Sequence, residues 1–442
     1  MKRRGFLLLP LLALLFPSVV TVRASSSIRV GERAAARRRL PPYRPGEVIV
    51  QFATATEQSR VERAIREAGG WRARRSAFGP RYLVTLDAGQ SVPEAIERLR
   101  TVREVEYAEP NYTVRAALSP NDTYYRFQWN LAQIGAPRTW EIQKGKPEVI
   151  VAVLDTGIAY EDFGPYAKAP DWGSTVFVQG FDFVNGDTHA NDDESHGTHV
   201  ASTIAEATDN GLGVAGLAFN CALMPVKVLN QAGDGSFFDV AEGIDYATSF
   251  SDGGRKVRVI NLSLGGDSAV EVVRRAIDRA VAAGIVVVAA AGNESLGSLD
   301  YPAAFPNVIG VGAVDFFKEK AVYSNFGPGL ALMAPGGDVD QRNNIDGDPD
   351  GILQQTFDPR TAQVFGRYDD FAYFYFDGTS SATAHVSAAA ALLISQGITD
   401  PAAVRKALES TAEDLGSTGR DDDYGFGLIR PVEALKGLGL SQ

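Results

Sequence analysis

The sequence has 442 residues, of which 45% are apolar and 22% charged, which is typical of a globular protein large enough for more than one domain. Its single cysteine, Cys221, excludes an intramolecular disulfide and lies in an apolar stretch, so we predict a small buried side chain. Residues 1–117 carry 21 basic and 11 acidic side chains, whereas residues 118–442 carry 22 and 43. The acidic second part argues against nucleic-acid binding. The opposite charges favour association of the two parts, and an unrelated basic leader is the alternative that charge alone leaves open.

Residues 1–24 have the features of a signal peptide. Basic residues at positions 2–4 precede an apolar run from Phe6 to Val20, and small residues lead to a predicted cleavage after Ala24. A transmembrane anchor is the alternative, but two prolines interrupt the run and it is short for a span. We therefore expect a secreted or periplasmic protein without a stable membrane anchor. The RRGFL segment leaves both the ordinary secretory route and the twin-arginine route open.

Residues 25–117 form a predicted leader segment whose folded part spans about residues 45–115. An Arg-rich stretch that is predicted to be disordered comes first. The predicted strands are EVIVQF, RYLVTLD and VEYAEPNY, and EQSRVERAIREAG and VPEAIERLRTV have the periodicity of amphipathic helices. This order predicts a small α+β module.

Residues 118–442 alternate apolar runs with helical patterns. The predicted strands are VIVAVLDTG, ALMPVKVL, VRVINLSL, IVVVAAAGN and VIGVGAV, and the predicted helices span 196–207, 237–250, 269–283 and 381–396. Such alternation predicts an α/β fold with three layers, in which helices cover both faces of a mostly parallel central sheet.

Three polar side chains occur where these elements begin or end. Asp155 ends an apolar strand, where open α/β sheets place functional groups. His196 follows a turn and opens a helix, and Ser380 lies at the start of an Ala-rich helix. A serine hydroxyl is a weak nucleophile that needs a base, which is itself oriented by a third group. His385 follows Ser380 by five residues on the same helix, so we predict that it is structural.

The motifs DTG, HGTHVA and GTSSA, in this order, resemble those of the subtilisin-like serine proteases, and most closely the thermitase-like branch. The resemblance implies a subtilisin-like fold with a catalytic triad. In it, Asp155 orients the imidazole of His196, His196 acts as general base and Ser380 is the nucleophile. It implies a secreted, self-processing serine endopeptidase that acts on proteins or peptides. Two residues depart from the family pattern, Ser381 in place of Met and Ala384 in place of Pro. Both are small and compatible with a helix, so we expect activity to survive.

The same resemblance implies that residues 25–117 are a propeptide, which acts as an intramolecular inhibitor and folding aid. Alignment of VEYAEPNYTVRAA with the end of such propeptides predicts cleavage after Ala117, which makes Leu118 the new N-terminus. Cleavage after Arg115 is the alternative. We expect residues 118–442 to form the catalytic domain, to be monomeric and to need no organic cofactor.

The resemblance also assigns the groups that bind the substrate. The side-chain amide of Asn293 and the backbone N–H of Ser380 are the implied donors to the oxyanion. Extended substrate is expected to pair with the edge formed by Ser263, Leu264 and Gly265.

A further pocket is predicted to receive the substrate residue before the scissile bond. Ala291 and Gly292 would line it, and Asp300, with Glu294, would lie near its floor and favour Lys or Arg by charge. The predicted self-cleavage, however, would place an alanine, Ala117, in this pocket. We therefore expect a broad endopeptidase that tolerates basic residues.

Three oxygen-rich loops are candidates for structural calcium, which takes six to eight oxygen ligands. The first two resemble calcium positions of the thermitase-like branch, and the third a DxNxDG-like loop. The candidate ligands are Asp122, Asp171 and Asn210; Asp182 and Asp187; and Asp340, Asn344, Asp346, Asp348 and Asp350. Solvated acidic surface loops are the alternative.

Two other classes of function remain open at this point. A catalytically silent relative would bind peptides without cleaving them, and the complete set of triad residues weighs against it. A Rossmann-type nucleotide enzyme is suggested by GLGVAG at residues 211–216, but this motif follows a predicted helix and no helix opens after it. The HGTH pair lacks the glutamate of a zinc protease motif.

Overall fold

The computed structural model describes residues 21–22, 43–112, 119–344 and 347–437. The chain divides into two compact units. Of the described residues, 43–112 belong to the smaller unit, and 21–22, 119–344 and 347–437 belong to the larger unit. The predicted signal peptide, apart from residues 21–22, and the predicted cleavage sites lie outside the described residues. A two-residue strand, β1 (Thr21–Val22), pairs antiparallel with a strand of the larger unit.

The smaller unit is a four-stranded antiparallel sheet with two helices. Its elements are β2 (Tyr43–Phe52), α1 (Gln58–Glu67), β3 (Gly70–Arg75), β4 (Arg81–Leu86), α2 (Val92–Arg100) and β5 (Val105–Tyr112). The sheet order is β3-β4-β2-β5, and the buried faces of both helices share one apolar core with it. Strand β3 was not among the elements predicted from the sequence. Only Gly70 of β3 is buried, so the segment lacks the alternation that marks a half-buried strand.

The larger unit begins with short helices and is built around eight parallel strands. Its helices are α3 (Trp129–Gln133), α4 (Ala136–Trp140), α5 (His196–Ala205), α6 (Phe237–Ser249), α7 (Glu271–Ala282), α8 (Pro359–Phe365), α9 (Thr379–Gln396), α10 (Pro401–Thr411) and α11 (Pro431–Gly437). The strands of the sheet are β6 (Val149–Asp155), β7 (Val176–Phe177), β8 (Phe181–Asp182), β9 (Ala222–Lys227), β10 (Lys256–Leu262), β11 (Val286–Ala290), β12 (Ile309–Val314) and β13 (Leu330–Pro335).

The predicted mostly parallel sheet is confirmed, because every pairing within it is parallel. Its order is β13-β12-β11-β10-β6-β9-β7, and β8 also pairs with β9. Strand β6 is buried along its whole length, as expected when both faces of a sheet are covered. From β6 the chain passes to β9 on one side and then crosses to β10 on the other. The winding therefore reverses beside β6, and open α/β sheets bind their ligands in the crevice at such a reversal.

Helix α9 lies in the interior of the larger unit, and this explains its composition. It contacts β10, β11 and β12 as well as α5, and all its residues except Ser380 and Gln396 are buried. Small alanines let the helix approach the sheet closely. Before it, β14 (Ile352–Phe357) and β15 (Phe371–Phe376) form an antiparallel hairpin, to which β1 adds a third strand.

The fold shows the surroundings of Cys221 and of the GLGVAG segment. Cys221 is buried and has no disulfide partner, and burial raises the pKa of its thiol to about 11. The GLGVAG segment lies between α5 and β9, so it does not follow a strand as a dinucleotide motif must. Among the described helices, none is at once long and apolar enough to cross a membrane.

Candidate active site

Asp155 and His196 meet at the carboxyl end of β6. Nδ1 of His196 lies 2.7 Å from Oδ1 of Asp155, and the same oxygen accepts a 2.8 Å hydrogen bond from the backbone N–H of Thr156. The carboxylate is fully buried, whereas the His196 side chain is 28% exposed. If Nδ1–H of His196 donates to Asp155, Nε2 keeps its lone pair and can accept a proton from a nucleophile.

The turn before α5 is held by a buried carboxylate that sequence reasoning missed. Oδ1 of Asp192 accepts hydrogen bonds from the Thr156 hydroxyl at 2.8 Å and from the N–H of Ser195 at 2.9 Å, and its Oδ2 accepts from the N–H of Thr198. These bonds tie the end of β6 to the start of α5. The signal in the sequence was an acidic residue shortly before a helix, the usual place for an N-terminal cap.

Lys227 is a second missed residue. Its side chain is fully buried at the end of β9, and Nζ donates to the carbonyl of Thr156 and to Asp193, each at 2.6 Å. A buried ammonium needs such partners, and in return it anchors the residue that follows Asp155.

Nearby charges control the protonation of His196. Burial of the ring lowers its pKa, but the negative charges of Asp155, Glu194 and Asp192 and the hydrogen bond to Asp155 outweigh burial and raise the pKa to about 9. Oε2 of Glu194 accepts a 2.8 Å hydrogen bond from the backbone N–H of His196. Burial in turn raises the pKa of Glu194.

The other buried histidines have structural partners. His199 lies within hydrogen-bonding distance of the carbonyls of Ile352 and Phe374, and burial lowers its pKa to about 3. His385 bridges Asn130 and the carbonyl of Ser381, as expected of a structural residue, and burial lowers its pKa to about 4.

Ser380 is the second residue of α9, and its side chain is half-buried. Its hydroxyl donates a 3.2 Å hydrogen bond to the carbonyl of Ser263, and the Ser263 hydroxyl donates to the carbonyl of Ser380 at 2.9 Å. Within the described residues, no hydrogen bond joins Ser380 to His196. Catalytic hydrogen bonds are often long or misaligned before substrate binds, so this arrangement is compatible with a nucleophile at rest.

Asn293 follows β11 and is fixed beside the start of α9. Its Oδ1 accepts hydrogen bonds from the N–H and the hydroxyl of Thr379, both at 2.9 Å. Because the oxygen is occupied in this way, the side-chain amide N–H₂ of the exposed Asn293 is left to donate outwards. The backbone N–H of Ser380 lies in the first turn of α9, where N–H groups lack partners within the helix.

A cleft of about 480 Å³ lies beside His196. The predicted substrate edge Ser263, Leu264 and Gly265 lines it together with Glu194 and His196. Of the other predicted substrate residues, Ala291 is fully buried in the core. Its backbone is engaged as well, since its N–H donates to the carbonyl of Val311 and its carbonyl accepts from the N–H of Asp300, each at 2.9 Å.

Asp300 lies between two glycines that flank the site. A Cβ atom on Gly292 would lie 2.8 Å from Oδ2 of Asp300, and one on Gly265 would lie 2.9 Å from its Cβ. Burial, and then the charges of Glu294 and Asp267, raise the pKa of Asp300. Asn325, another residue that the sequence did not single out, donates to Glu294 at 3.0 Å and to Asp300 at 3.4 Å.

The first of the three predicted calcium groups comes together in space. Asn210 donates to Oδ1 of Asp171 at 2.8 Å, and Asp122 accepts from the N–H of Asp209 at 2.8 Å. Oδ1 of Asp122 is buried and has no hydrogen-bond partner among the described residues. Burial raises the pKa of Asp122 to about 6 and that of Asp171 to about 8. Buried carboxylates without a cation nearby suit the oxygen-rich site of a calcium ion.

In the other two predicted calcium groups, carboxylate oxygens accept hydrogen bonds from their own loops. Both oxygens of Asp182 accept from Asn185, and Oδ1 of Asp187 accepts from the N–H of His189. Both oxygens of Asp350 accept from the N–H groups of Asn343 and Asn344. Asp346 lies outside the described residues. In the part of the chain that is described, no group of three or more acidic, His or Cys side chains is arranged to hold a metal.

Comparisons with known proteins agree on one family. Residues 146–427 match the model of the "Subtilase family", and residues 32–111 match that of the "Fervidolysin N-terminal prodomain". The chain is 36% identical over 384 residues to a thermophilic serine proteinase of Bacillus sp. (strain AK1), with 87% of this chain and 86% of that protein covered. It is 34% identical over 302 residues to thermitase of Thermoactinomyces vulgaris, with 68% and 94% covered.

One solved structure is similar to this chain. A protease from Pseudoalteromonas arctica PAMC 21717 superposes with a TM-score of 0.63 at 30% identity, with 72% of this chain and 99% of that chain covered.

Proposed function

The chain belongs to the subtilase family of serine proteases and carries an N-terminal prodomain, and we propose that it is a secreted endopeptidase with Asp155, His196 and Ser380 as its catalytic triad. The observation that carries this assignment is the 2.7 Å contact between Nδ1 of His196 and Asp155, which leaves Nε2 as a base. A nucleophile at the start of α9 supports it.

In the proposed reaction, an extended peptide pairs with Ser263, Leu264 and Gly265 along the cleft. The hydroxyl of Ser380 leaves the carbonyl of Ser263, gives its proton to Nε2 of His196, and its oxygen bonds to the carbonyl carbon of the substrate. The C=O electrons move to the oxygen, which accepts hydrogen bonds from the amide of Asn293 and the N–H of Ser380.

The tetrahedral intermediate then collapses, and His196 gives its proton to the departing amine. A water molecule next attacks the acyl-enzyme, with His196 again accepting a proton, and Ser380 is regenerated as the acid product leaves. Throughout, the buried carboxylate of Asp155 stabilises the imidazolium and fixes its orientation.

We propose that residues 25–117 are removed by the enzyme itself, after Ala117 or alternatively after Arg115, once the signal peptide has been cleaved after Ala24. The prodomain match and the opposite charges of the two parts support an inhibitory role for this segment. The mature enzyme is expected to be a monomer that tolerates basic residues before the scissile bond, where Asp300 supplies a charge.

We also propose one structural calcium ion held by Asp122, Asp171 and Asn210. The unpartnered, buried Oδ1 of Asp122 supports this choice. When bound, the ion would offset two buried carboxylate charges and fix the loop around Asn210 against unfolding. The groups around Asp182 and Asp350 fit an ion less well, because both oxygens of each of these two carboxylates accept hydrogen bonds from their own loops, whereas Asp122 has a buried oxygen without a partner among the described residues.

The test compares wild type with Ser380→Ala by intact mass, N-terminal sequencing and labelling with a serine-reactive fluorophosphonate. Ser381→Ala serves as the matched control, because it removes the neighbouring hydroxyl. We expect the wild type and the control to begin near Leu118 and take the label. Ser380→Ala should remain joined to the prodomain and unlabelled. If the wild type keeps its prodomain and takes no label, the proposed function is wrong.

A further inference from the structure

A second cavity, of about 800 Å³, lies at the end of the central sheet opposite to Asp155. Its lining includes Val149 and Lys256, the first residues of β6 and β10, and Gly397, which follows α9. All of its lining residues belong to the larger unit. The cavity is in the size range of pockets that bind small molecules, and a ligand in it would leave the cleft beside His196 clear.

The lining of this cavity is basic, although residues 118–442 carry 22 basic and 43 acidic side chains. Four lining residues are cationic, and only the exposed Glu148 is acidic. The four cations are Lys146, Arg255, Lys256 and Arg258. Arg255 is paired with Asp252, whereas the other three cations form no ion pair within the described residues. Unpaired cations around one cavity repel each other, so a bound anion would stabilise this arrangement.

Arg258 owes its position to an irregularity in the sheet. Residues 257 and 259 of β10 pair with consecutive residues of β6, whereas Arg258 between them has no partner and forms a bulge. Bulges commonly redirect a side chain beside a functional site. Of the guanidinium nitrogens, only Nη2 has a hydrogen-bond partner among the described residues, the carbonyl of Thr399 at 2.7 Å, and Nε is buried without one. A half-buried guanidinium with so few partners favours an anionic ligand.

The turn before β10 holds two of the cations in a fixed place. The N–H groups of Asp252 and Arg255 each donate to the other residue's carbonyl, at 3.1 and 2.8 Å. Gly253 and Gly254 between them both have positive φ, as a tight two-residue turn requires. Lys256 follows this turn directly, so its backbone loses little freedom when a ligand binds.

Attraction to the C-terminal end of α9 is the alternative explanation for a cation here. The last carbonyls of this helix, however, already accept hydrogen bonds from the N–H groups of Gly397 and Ile398. A helix end would also account for Arg258 at most, because Lys146 and Lys256 come from two other segments of the chain and are exposed. The cluster as a whole therefore indicates a ligand.

We propose that this basic cavity binds a soluble anion that carries more than one phosphate group. Arg258 would form charge-assisted hydrogen bonds with one group, and Lys146 and Lys256 would offset the charge of the rest. The unpaired cations outnumber the single carboxylate, so a ligand with at least two negative charges balances the site. The segment 25–117 is itself basic and does not fit as the occupant. The inference does not rest on the proposed function, because none of these residues lines the cleft beside His196.

The experiment titrates pyrophosphate into the protein by isothermal titration calorimetry, at constant free calcium because pyrophosphate also binds calcium. The fluorophosphonate-inhibited mature enzyme and the full chain with Ser380→Ala are both titrated, so the outcome does not depend on self-processing. The basic prodomain of the full chain also attracts anions, so variants are compared within each preparation. The variants are Arg258→Gln, Lys256→Gln and Glu148→Gln. Lys406→Gln is the matched control, because Lys406 is an exposed residue of α10 outside the cavity.

We expect the Kd of pyrophosphate to rise about tenfold in Arg258→Gln, which loses a hydrogen bond between charged groups. It should rise about threefold in Lys256→Gln and fall about threefold in Glu148→Gln, since solvent screens these exposed charges. Lys406→Gln should keep the Kd of the wild type, and inorganic phosphate should bind more weakly than pyrophosphate because it reaches fewer of the cations.

Three results would overturn the inference. The first is the absence of saturable pyrophosphate binding, and the second is a Kd that is the same in the control and in both exposed variants. The exposed variants keep the test decisive even if Arg258→Gln does not fold. The third is tighter binding of a hexaglutamate peptide than of pyrophosphate, which would assign the cavity to an acidic peptide instead.

Discussion

In the proposed triad, the pKa of His196 determines the pH at which the protease becomes active. The base must be neutral to accept a proton from Ser380, and the carboxylates around it raise its pKa to about 9. A base with that pKa is neutral in about 1% of molecules at pH 7 and in about 10% at pH 8. We therefore expect kcat/KM to rise about tenfold per pH unit between pH 6 and 8 and to level off near pH 10.

The assay measures kcat/KM for a peptide without ionisable groups from pH 5.5 to 10.5, with ionic strength and calcium held constant. A matched variant, Glu194→Gln, removes one of the charges that raise the pKa of His196. A partly exposed charge pair contributes about 0.2–1 kcal/mol, and about 1.4 kcal/mol corresponds to one pKa unit. The acid limb of Glu194→Gln should therefore move down by about half a unit, whereas Glu148→Gln should leave it in place.

Stability should change in the opposite direction over the same range. A histidine whose pKa is higher in the folded state than its ordinary 6.5 stabilises the fold fully below pH 6.5, and this stabilisation is lost as the pH rises through about 9. The melting temperature of the inhibited enzyme should thus fall as activity rises. An acid limb at pH 6.5 or below in the wild type would refute the reasoning, because it would mean that the surrounding carboxylates do not control His196.

Three further predictions test other parts of the site. Asn293→Ala should lower kcat by about 10²–10³ with little change in KM, which is the loss found when a subtilisin loses one oxyanion donor. An unchanged kcat in steady-state kinetics would contradict the oxyanion role. Asp155→Asn should lower kcat by about 10⁴, because an amide can stabilise the wrong tautomer of His196, and a loss below tenfold would rule out Asp155 as the orienting group. Chelation of calcium should lower the melting temperature of the fluorophosphonate-inhibited enzyme, since an ion at 100 times its Kd adds about 2.7 kcal/mol of stability. Asp122→Asn should abolish most of that difference, and equal melting temperatures with and without calcium in the wild type would disprove the proposed site.

Much of the central fold could be predicted because its signals are local. A strand covered on both faces is a continuous apolar run, and VIVAVLD became the fully buried β6. Of the strands that were missed, β13 is also a fully buried apolar run, LALMAP, and could have been found in the same way, whereas β14 disguises the signal. Strand β14 contains Gln354 and Gln355, which are buried because they bond to Ser202 and Glu206. Those partners are about 150 positions away, so no local pattern could reveal them.

The sequence by itself determined which residues could carry the chemistry, since Asp155, His196, Ser380 and Asn293 each follow or open a recognisable element. Only the tertiary structure decided how they meet. The pairing of β6 with its neighbours and the hydrogen bonds of Asp192 bring His196 to within 2.7 Å of a residue 41 positions earlier. The same packing places Glu194 in the cleft and lets the Ser380 hydroxyl donate a hydrogen bond to the carbonyl of Ser263. Such contacts depend on strand order and loop closure, which the periodicity of a sequence does not encode.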